Sequence, residues 1–263
     1  MTLFLIVYCL VYLFAPSFEL LANNNDETIY YLLYKFTGSI KSQELGNGVY
    51  LAGDINGDGY GDILIGANSE DIGLLKSAGR AYIHSGLDGM LLYTYEGENE
   101  YAYLGWALSD IEDTDDDGLS EILIGSRNTE ASGMAGAGRV YHCSGVNGVV
   151  YRKYDGESYS DSFGFDLEGL GDVDGDGYGD FIVGAESYAV NPPWNRGAVY
   201  VYSGRPRMLK HKGRMPIQKY DPHRLLFKYE GEYTSESLGF QVCRIGDVDK
   251  DNRADFAYLV SVT

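Results

Sequence analysis

Residues 163–185 read FGFDLEGLGDVDGDGYGDFIVGA, and this stretch contains the features from which the fold can be inferred. An aromatic residue and a glycine, Phe163-Gly164, begin it, and an acidic loop follows at residues 172–180. The loop alternates Asp with Gly, which predicts a tight turn. The apolar run FIVG that comes next is typical of a short buried strand.

The stretch recurs along the chain. The first Asp of the acidic loop is Asp54, Asp113, Asp172 and Asp247, at intervals of 59, 59 and 75 residues. The longer interval reflects an insertion after Ser203-Gly204, which contains the basic run RPRMLKHKGRMP. Fixed-period repetition indicates a repeat architecture. We therefore predict a domain over 28–263 with repeats at about 45–103, 104–162, 163–237 and 238–263.

Each repeat has the periodicity of strands. ILIG and FIVG are short apolar runs, whereas AYIHSG, VYVYSG and LLYTYEG alternate apolar and polar residues. Four short antiparallel strands make one propeller blade, and a blade must stack on neighbours to bury both faces. The sequence thus predicts an all-β propeller with three complete repeats and a partial fourth. Glycines following Leu or Phe would let the innermost strands crowd the axis, at Gly46, Gly105, Gly164 and Gly239.

The acidic loops are candidate metal sites. Positions 1, 3, 5 and 9 of each loop carry side-chain oxygens, Gly at position 6 allows a sharp turn, and position 7 would offer its backbone carbonyl. The candidate ligands are Asp54, Asn56, Asp58, Tyr60 and Asp62; Asp113, Asp115, Asp117, Leu119 and Glu121; Asp172, Asp174, Asp176, Tyr178 and Asp180; and Asp247, Asp249, Asp251, Arg253 and Asp255.

The ligand chemistry favours calcium. Clustered carboxylates repel one another unless a cation lies between them, and oxygen ligands without His or Cys select a hard ion. Ca²⁺ accepts six to eight irregular ligands, whereas Mg²⁺ keeps its waters. We expect three to four Ca²⁺ ions. EF-hands require Glu at position 12 and flanking helices, but apolar residues or Tyr stand there and strands flank the loops. Exposed turns without metal are the remaining alternative.

The fourth loop departs from the other three. Asn252 replaces Gly at position 6, which still permits a left-handed turn at some cost. Lys250 and Arg253 add positive charge beside the expected ion. We therefore expect the lowest calcium affinity in this loop.

Composition excludes some classes of partner. The formal net charge of -19 argues against nucleic acid, because phosphate binding needs a basic surface. With 44% hydrophobic and 14% aromatic residues, the chain should fold, and we expect bound divalent cations to neutralise its clustered carboxylates. Cys143 and Cys243 fall at non-equivalent positions of different repeats, and we expect no disulfide between them.

The N-terminal residues 1–15 are nearly all apolar. Residues 1–22 fit a signal peptide, although no Lys or Arg precedes Lys35. A buried apolar strand and a membrane anchor are the alternatives, and membrane association would involve only these residues. A signal peptide would place the protein outside the cell, secreted or at the cell surface.

The order of FG or LG, an acidic DxDxDGxxD loop, ILIGA or FIVGA, and GxVYxYSG resembles FG-GAP repeats, which form the seven-bladed propeller of integrin α-subunits. Gly125-Ser126 departs from the Gly-Ala pair. Fewer than seven repeats are visible, so we interpret the chain as a fragment of a longer propeller. Alternatively, residues 28–36 could pair with the strands after Leu238 and close a ring of four blades.

The resemblance implies an extracellular, non-enzymatic module that binds a protein or glycan ligand through loops opposite the calcium loops. The alternative is a non-catalytic accessory propeller of a secreted enzyme, of the phospholipase or polysaccharide-degrading type. The four histidines lack zinc spacing, and no G-x-S-x-G motif is present. Carboxylates that bind Ca²⁺ have depressed pKa values and make poor general acids.

Overall fold

The computed structural model describes residues 17–24, 29–38, 45–189, 196–205, 224–233 and 236–259. The regular elements of these ranges are all β-strands, as the periodicity predicts. They are β1 (Ser17–Asn24), β2 (Ile29–Thr37), β3 (Val49–Leu51), β4 (Ile63–Ala67), β5 (Arg80–His84), β6 (Leu91–Glu96), β7 (Leu104–Ile111), β8 (Glu121–Ser126), β9 (Arg139–Cys143), β10 (Val150–Asp155), β11 (Phe163–Gly171), β12 (Asp180–Ala185), β13 (Ala198–Ser203), β14 (Leu225–Glu230), β15 (Gln241–Gly246) and β16 (Asp255–Leu259).

Three antiparallel sheets have the order of propeller blades. The first contains β3 to β6, the second β7 to β10 and the third β11 to β14, each with sequence neighbours hydrogen-bonded side by side. The predicted four strands per repeat are therefore confirmed for the three complete repeats. Strands β15 and β16 form a two-stranded sheet that corresponds to the first half of a fourth blade. The repeat limits given above remain a prediction.

Apolar side chains fill the spaces between successive blades. The second strand of each complete blade is buried along its whole length, which explains why ILIGA and FIVGA lack alternation. One cluster joins the first and second blades and includes Leu64 and Ile122. A second cluster joins the second and third blades around Phe163 and Phe181, and a third joins the third blade to β15. The blades thus stack through the faces that a single blade cannot cover.

Paired glycines set how closely neighbouring blades approach. Gly105 has a φ of 83°, and its carbonyl oxygen would lie 2.0 Å from a Cβ built on Gly66 of the preceding blade. Any side chain on Gly66 would therefore push the two blades apart. This contact explains why each complete repeat has a Gly near the start of its first strand and another Gly in its second strand, where the next blade approaches. Equivalent contacts join Gly125 to Gly164 and Gly184 to Gly239.

The N-terminal strands extend the stack at the first blade. Strand β2 pairs with β1, and Tyr34 and Phe36 pack on Ile63 and Ile65 of the first blade. The alternative pairing of residues 28–36 with the strands after Leu238 is therefore wrong in the described ranges. Tyr34 and Phe36 of β2 instead cover the open apolar face of the first blade.

Only the end of the apolar N-terminal stretch belongs to the described residues. Residues 1–16 lie outside the described ranges, whereas residues 17–22 belong to β1. Among the described residues, no helix is long and apolar enough to cross a membrane.

Candidate metal centres

The four acidic loops occupy equivalent places in the sheets. They connect β3 to β4, β7 to β8, β11 to β12 and β15 to β16, which are the first and second strands of each blade. All four therefore lie at the same end of the blades, as the repeat predicts. The candidate ligands of each loop fall within nine consecutive residues, so local backbone geometry decides whether they converge.

The first Asp of each loop curls the backbone around its own carboxylate. In the third loop, Asp172 Oδ1 accepts hydrogen bonds from the N–H of Gly175 (2.6 Å) and Asp176 (3.1 Å), and Oδ2 accepts one from Gly177 (2.8 Å). Gly175 and Gly177 have φ values of 81° and 90°, a left-handed conformation that favours Gly. The same type of turn is built by Asp54, Asp113 and Asp247.

The last carboxylate of the loop ties it to the strands behind. Asp180 Oδ2 accepts a hydrogen bond from the Val173 N–H (2.8 Å), and Oδ1 accepts one from the Gly204 N–H (3.2 Å) beyond the third strand. Asp62 makes the same two bonds in the first blade, with Ile55 and Gly86. Asp255 accepts a bond from Val248. In the first and third blades, position 9 thus fixes the acidic loop against the body of the blade.

Position 7 lies beside position 5 in every loop. The N–H of Tyr60, Leu119, Tyr178 and Arg253 donates to the position-5 carboxylate at 2.8–3.2 Å. That contact holds the backbone of position 7 at the rim of each acidic loop. The role of its carbonyl as a ligand stays a prediction.

Three loops bring carboxylate oxygens within 4.8 Å of one another. In the first loop the Asn56 side-chain amide donates to Asp58 Oδ2 at 2.9 Å, so an amide lies where the other loops place a third carboxylate. Asp176 is absent from the third cluster. The clusters are Asp113, Asp115, Asp117 and Glu121; Asp172, Asp174 and Asp180; and Asp247, Asp249 and Asp251.

The second loop brings together four carboxylates that could hold a cation. Glu121 is fully buried, and its Oε2 accepts hydrogen bonds from the N–H and the hydroxyl of Thr114 at 2.6 and 2.7 Å. Within the described part of the chain, Glu121 Oε1 and Asp115 Oδ1 are buried without a hydrogen-bond partner. Burial, with Asp115 and Asp117 nearby, raises the pKa of Glu121 to about 7. Buried carboxylate oxygens without donors need a counter-charge, and a hard divalent ion would supply it.

The third loop also concentrates negative charge. Burial raises the pKa of Asp180 to about 7, and Asp174 and Asp176 add to the shift. The guanidinium of Arg224 lies against this cluster, 2.9 Å from Asp174 Oδ2. The guanidinium of Arg224 thus lies beside the carboxylates for which the sequence predicts a metal ion.

Two of the three complete blades match a known repeat family. The family model "FG-GAP repeat" matches residues 47–84 and 168–202, in the first and third blades. Integrin alpha-5 of Xenopus laevis is 34% identical over 191 residues, which are 66% of this chain and 17% of that protein. The chain is an integrin α-like FG-GAP propeller.

Other integrin α-subunits are similar to this FG-GAP propeller. Integrin alpha-V of Gallus gallus is 32% identical over 167 residues, covering 58% of the chain and 16% of that protein. Integrin alpha-PS2 of Drosophila melanogaster is 30% identical over 217 residues, covering 79% of the chain and 14% of that protein. The propeller therefore spans less than a fifth of the length of these relatives.

A solved structure, the rhamnogalacturonan lyase PL11 of Bacillus licheniformis, covers 92% of this chain and 48% of its own, with 16% identity and a TM-score of 0.46. A second one, the rhamnogalacturonan lyase YesW, also has a TM-score of 0.46, with 14% identity. Likeness at this level does not bear on the function of the FG-GAP propeller.

Several residues around the loops could not be assigned from the repeat. Thr114 is polar at position 2, where the other loops carry Ile or Val, and its Oγ1 lies 3.3 Å from His142 Nε2. Burial lowers the pKa of His142 to about 3, so its ring is neutral at physiological pH. Ser85 donates to Asp58 Oδ2 at 2.8 Å. In the sequence, a polar residue at position 2 was the one sign that Thr114 makes a side-chain contact which the other loops lack.

The fourth loop should have the lowest calcium affinity of the propeller. Its three clustered Asp residues are exposed, and Asn252 has a φ of 67°, which costs a non-glycine residue strain. Asp249→Ala should therefore remove only the weakest binding event in a calorimetric Ca²⁺ titration. Loss of a tight event from Asp249→Ala would contradict this ranking, and Asp117→Ala in the second loop is the matched control.

Calcium binding should release protons near neutral pH. Glu121 and Asp180 have pKa values raised to about 7, whereas calcium binds the ionised carboxylate. Each group is about half protonated at pH 7, so roughly one proton in total should leave, and affinity should rise with pH up to about 8. Titration in buffers of different ionisation enthalpy measures this release. Buffer-independent binding enthalpies at pH 7 would refute it.

Proposed function

We propose that this propeller is a calcium-binding extracellular module that takes part in adhesion by binding a protein or glycan ligand. The buried Glu121 oxygen without a donor, inside a cluster of four carboxylates, is the observation that carries the calcium assignment. The similarity to integrin α-subunits supports the adhesion-type role and a position outside the cell, either secreted or at the cell surface. We keep three to four Ca²⁺ ions as the proposed number.

The proposed ions have a structural role. Each ligand set lies inside one loop whose backbone N–H groups already surround the carboxylates, which leaves little room for a substrate. A bound ion would hold the connection between the first and second strands rigid and relieve carboxylate repulsion. The sites thus stabilise the propeller and do not perform chemistry.

The ligand surface would lie at the opposite end of the blades. The loops between the second and third strands lie there, and Leu74 in the first of them is 92% exposed. Loops held by a rigid scaffold are where binding residues are most often found. We propose this end as the contact surface for the protein or glycan.

Two measurements test the proposal. Equilibrium dialysis of the whole chain should count three to four bound Ca²⁺ ions, and Asp113→Asn should remove one of them. A protein and glycan array should then detect ligands in calcium that are lost in EGTA and after Leu74→Glu. A chain that binds no calcium would overturn the metal assignment, and a ligand that still binds Leu74→Glu with unchanged affinity would contradict the proposed surface.

A further inference from the structure

The third acidic loop faces two arginines of its own chain. Arg224, which precedes β14, places Nη2 2.9 Å from Asp174 Oδ2 and Nη1 3.5 Å from Asp176 Oδ2. Arg205, which follows β13, lies 3.8 Å from the same oxygen of Asp176. Both carboxylates are largely buried, with side chains 13–14% exposed, whereas Arg224 is half exposed. The cluster is therefore neutralised from its solvent side.

The oxygens that Arg224 contacts are those that the loop turn does not use. Asp174 Oδ1 accepts the Asp176 N–H at 3.1 Å, and Asp176 Oδ1 accepts the Tyr178 N–H at 3.2 Å. The other oxygen of each carboxylate thus remains for a cation. In the second loop, one oxygen of Asp115 is buried without a hydrogen-bond partner among the described residues. In the third loop, Asp174 Oδ2 and Asp176 Oδ2 are likewise buried without a hydrogen-bond partner among the described residues, and the guanidinium of Arg224 lies within ion-pair distance of both.

The sequence explains why this occurs in one blade. In the first and second blades, the third and fourth strands are joined by the short turns SGLDGM and SGVNGV, which put Leu87 and Val146 after the glycine. In the third blade the insertion replaces that turn, and Arg205 and Arg224 are the described residues on either side of it. The insertion thereby introduces positive charge beside one acidic loop.

We propose that Arg224 competes with the divalent cation for Asp174 and Asp176, so that the third site fills at a higher calcium concentration than the second. Filling of the site releases the guanidinium to solvent, because the ion and Arg224 need the same two oxygens. Calcium must therefore displace Arg224 to fill the third site, whereas no Lys or Arg of the described residues forms an ion pair with Asp115 or Glu121 of the second. This inference rests on the proposed calcium binding.

Calorimetric Ca²⁺ titrations of the whole chain at fixed ionic strength test the competition. Arg224→Gln should keep the number of bound ions and tighten one site by roughly three- to tenfold, since partly exposed ion pairs are weak. Arg205→Gln should have a smaller effect because its contact is longer. Lys76→Gln is the matched control: it removes one positive charge from an exposed pair with Asp71, at the opposite end of the blades.

Repeating the Arg224→Gln substitution in a chain that already carries Asp174→Asn shows which calcium site Arg224 affects. In Asp174→Asn, adding Arg224→Gln should tighten calcium binding less than it does in the unaltered chain, because Asp174 has lost its charge and only the longer contact of Arg224 with Asp176 remains. The inference is overturned if Arg224→Gln leaves every affinity unchanged while calcium still binds, or if Lys76→Gln tightens binding equally. Absence of calcium binding in all of these proteins would instead refute the proposed function, and the competition with it. A thermal melt of each variant in calcium verifies that it folds.

Discussion

Removing calcium with EGTA should lower the midpoint of thermal unfolding by roughly 15–30 °C. One site that binds only the folded state contributes about 2.7 kcal/mol when the free ion exceeds its Kd a hundredfold, so three sites contribute about 8 kcal/mol. For a chain of this size, each kcal/mol shifts the midpoint by about 2–4 °C. Without the ions, the carboxylates of the second, third and fourth loops also repel one another within 4.8 Å.

Scanning calorimetry in millimolar Ca²⁺ and in EGTA measures the effect. EGTA that has been saturated with calcium beforehand is the control for the chelator itself, and Mg²⁺ should restore less of the loss because it gives up its waters reluctantly. Melting curves that superimpose with and without EGTA would show that the acidic loops are stable without an ion. That result would also remove the physical basis for the calcium sites.

The strands and the acidic loops could be predicted because their determinants are local. Nine consecutive residues contain a whole ligand set, and left-handed Gly at position 6 is visible in three of the four loops. The loop repeats also fix which strands pair, since each hairpin joins sequence neighbours. The sequence repeat also identified Gly66 and Gly105, but only the structure shows that these two glycines contact each other between adjacent blades.

Contacts between distant parts of the sequence could not be predicted. Arg224 is 50 residues from Asp174, and the insertion that separates its strand from β13 has no counterpart in the other repeats. The partner of β2 depended on which blade face lay open, and its run of apolar and aromatic residues, IYYLLY, suited either end of the stack. Thr114 showed a polar residue at an apolar position, but its bond to Glu121 becomes apparent only in three dimensions.

The largest effect of a single substitution is expected at the glycine contact between the first two blades. Gly66→Ala should lower the free energy of unfolding by about 3 kcal/mol or more, which is at the upper end for overpacking a well-filled core. A Cβ there would lie 2.0 Å from the Gly105 carbonyl oxygen, and backbone cannot rotate away as a flexible side chain can. Urea denaturation in calcium-containing buffer measures the loss.

Gly48→Ala provides the matched control because its Cβ would meet the same Gly105 oxygen at 3.4 Å, close to ordinary van der Waals contact. Neither Gly48 nor Gly66 has a left-handed φ, so strain in the substituted residue cannot account for a difference between the variants. Gly48→Ala should therefore change stability by less than about 1 kcal/mol. If both variants unfold at the same urea concentration, the blades can separate at little cost, and close approach would not explain why glycine recurs at these positions.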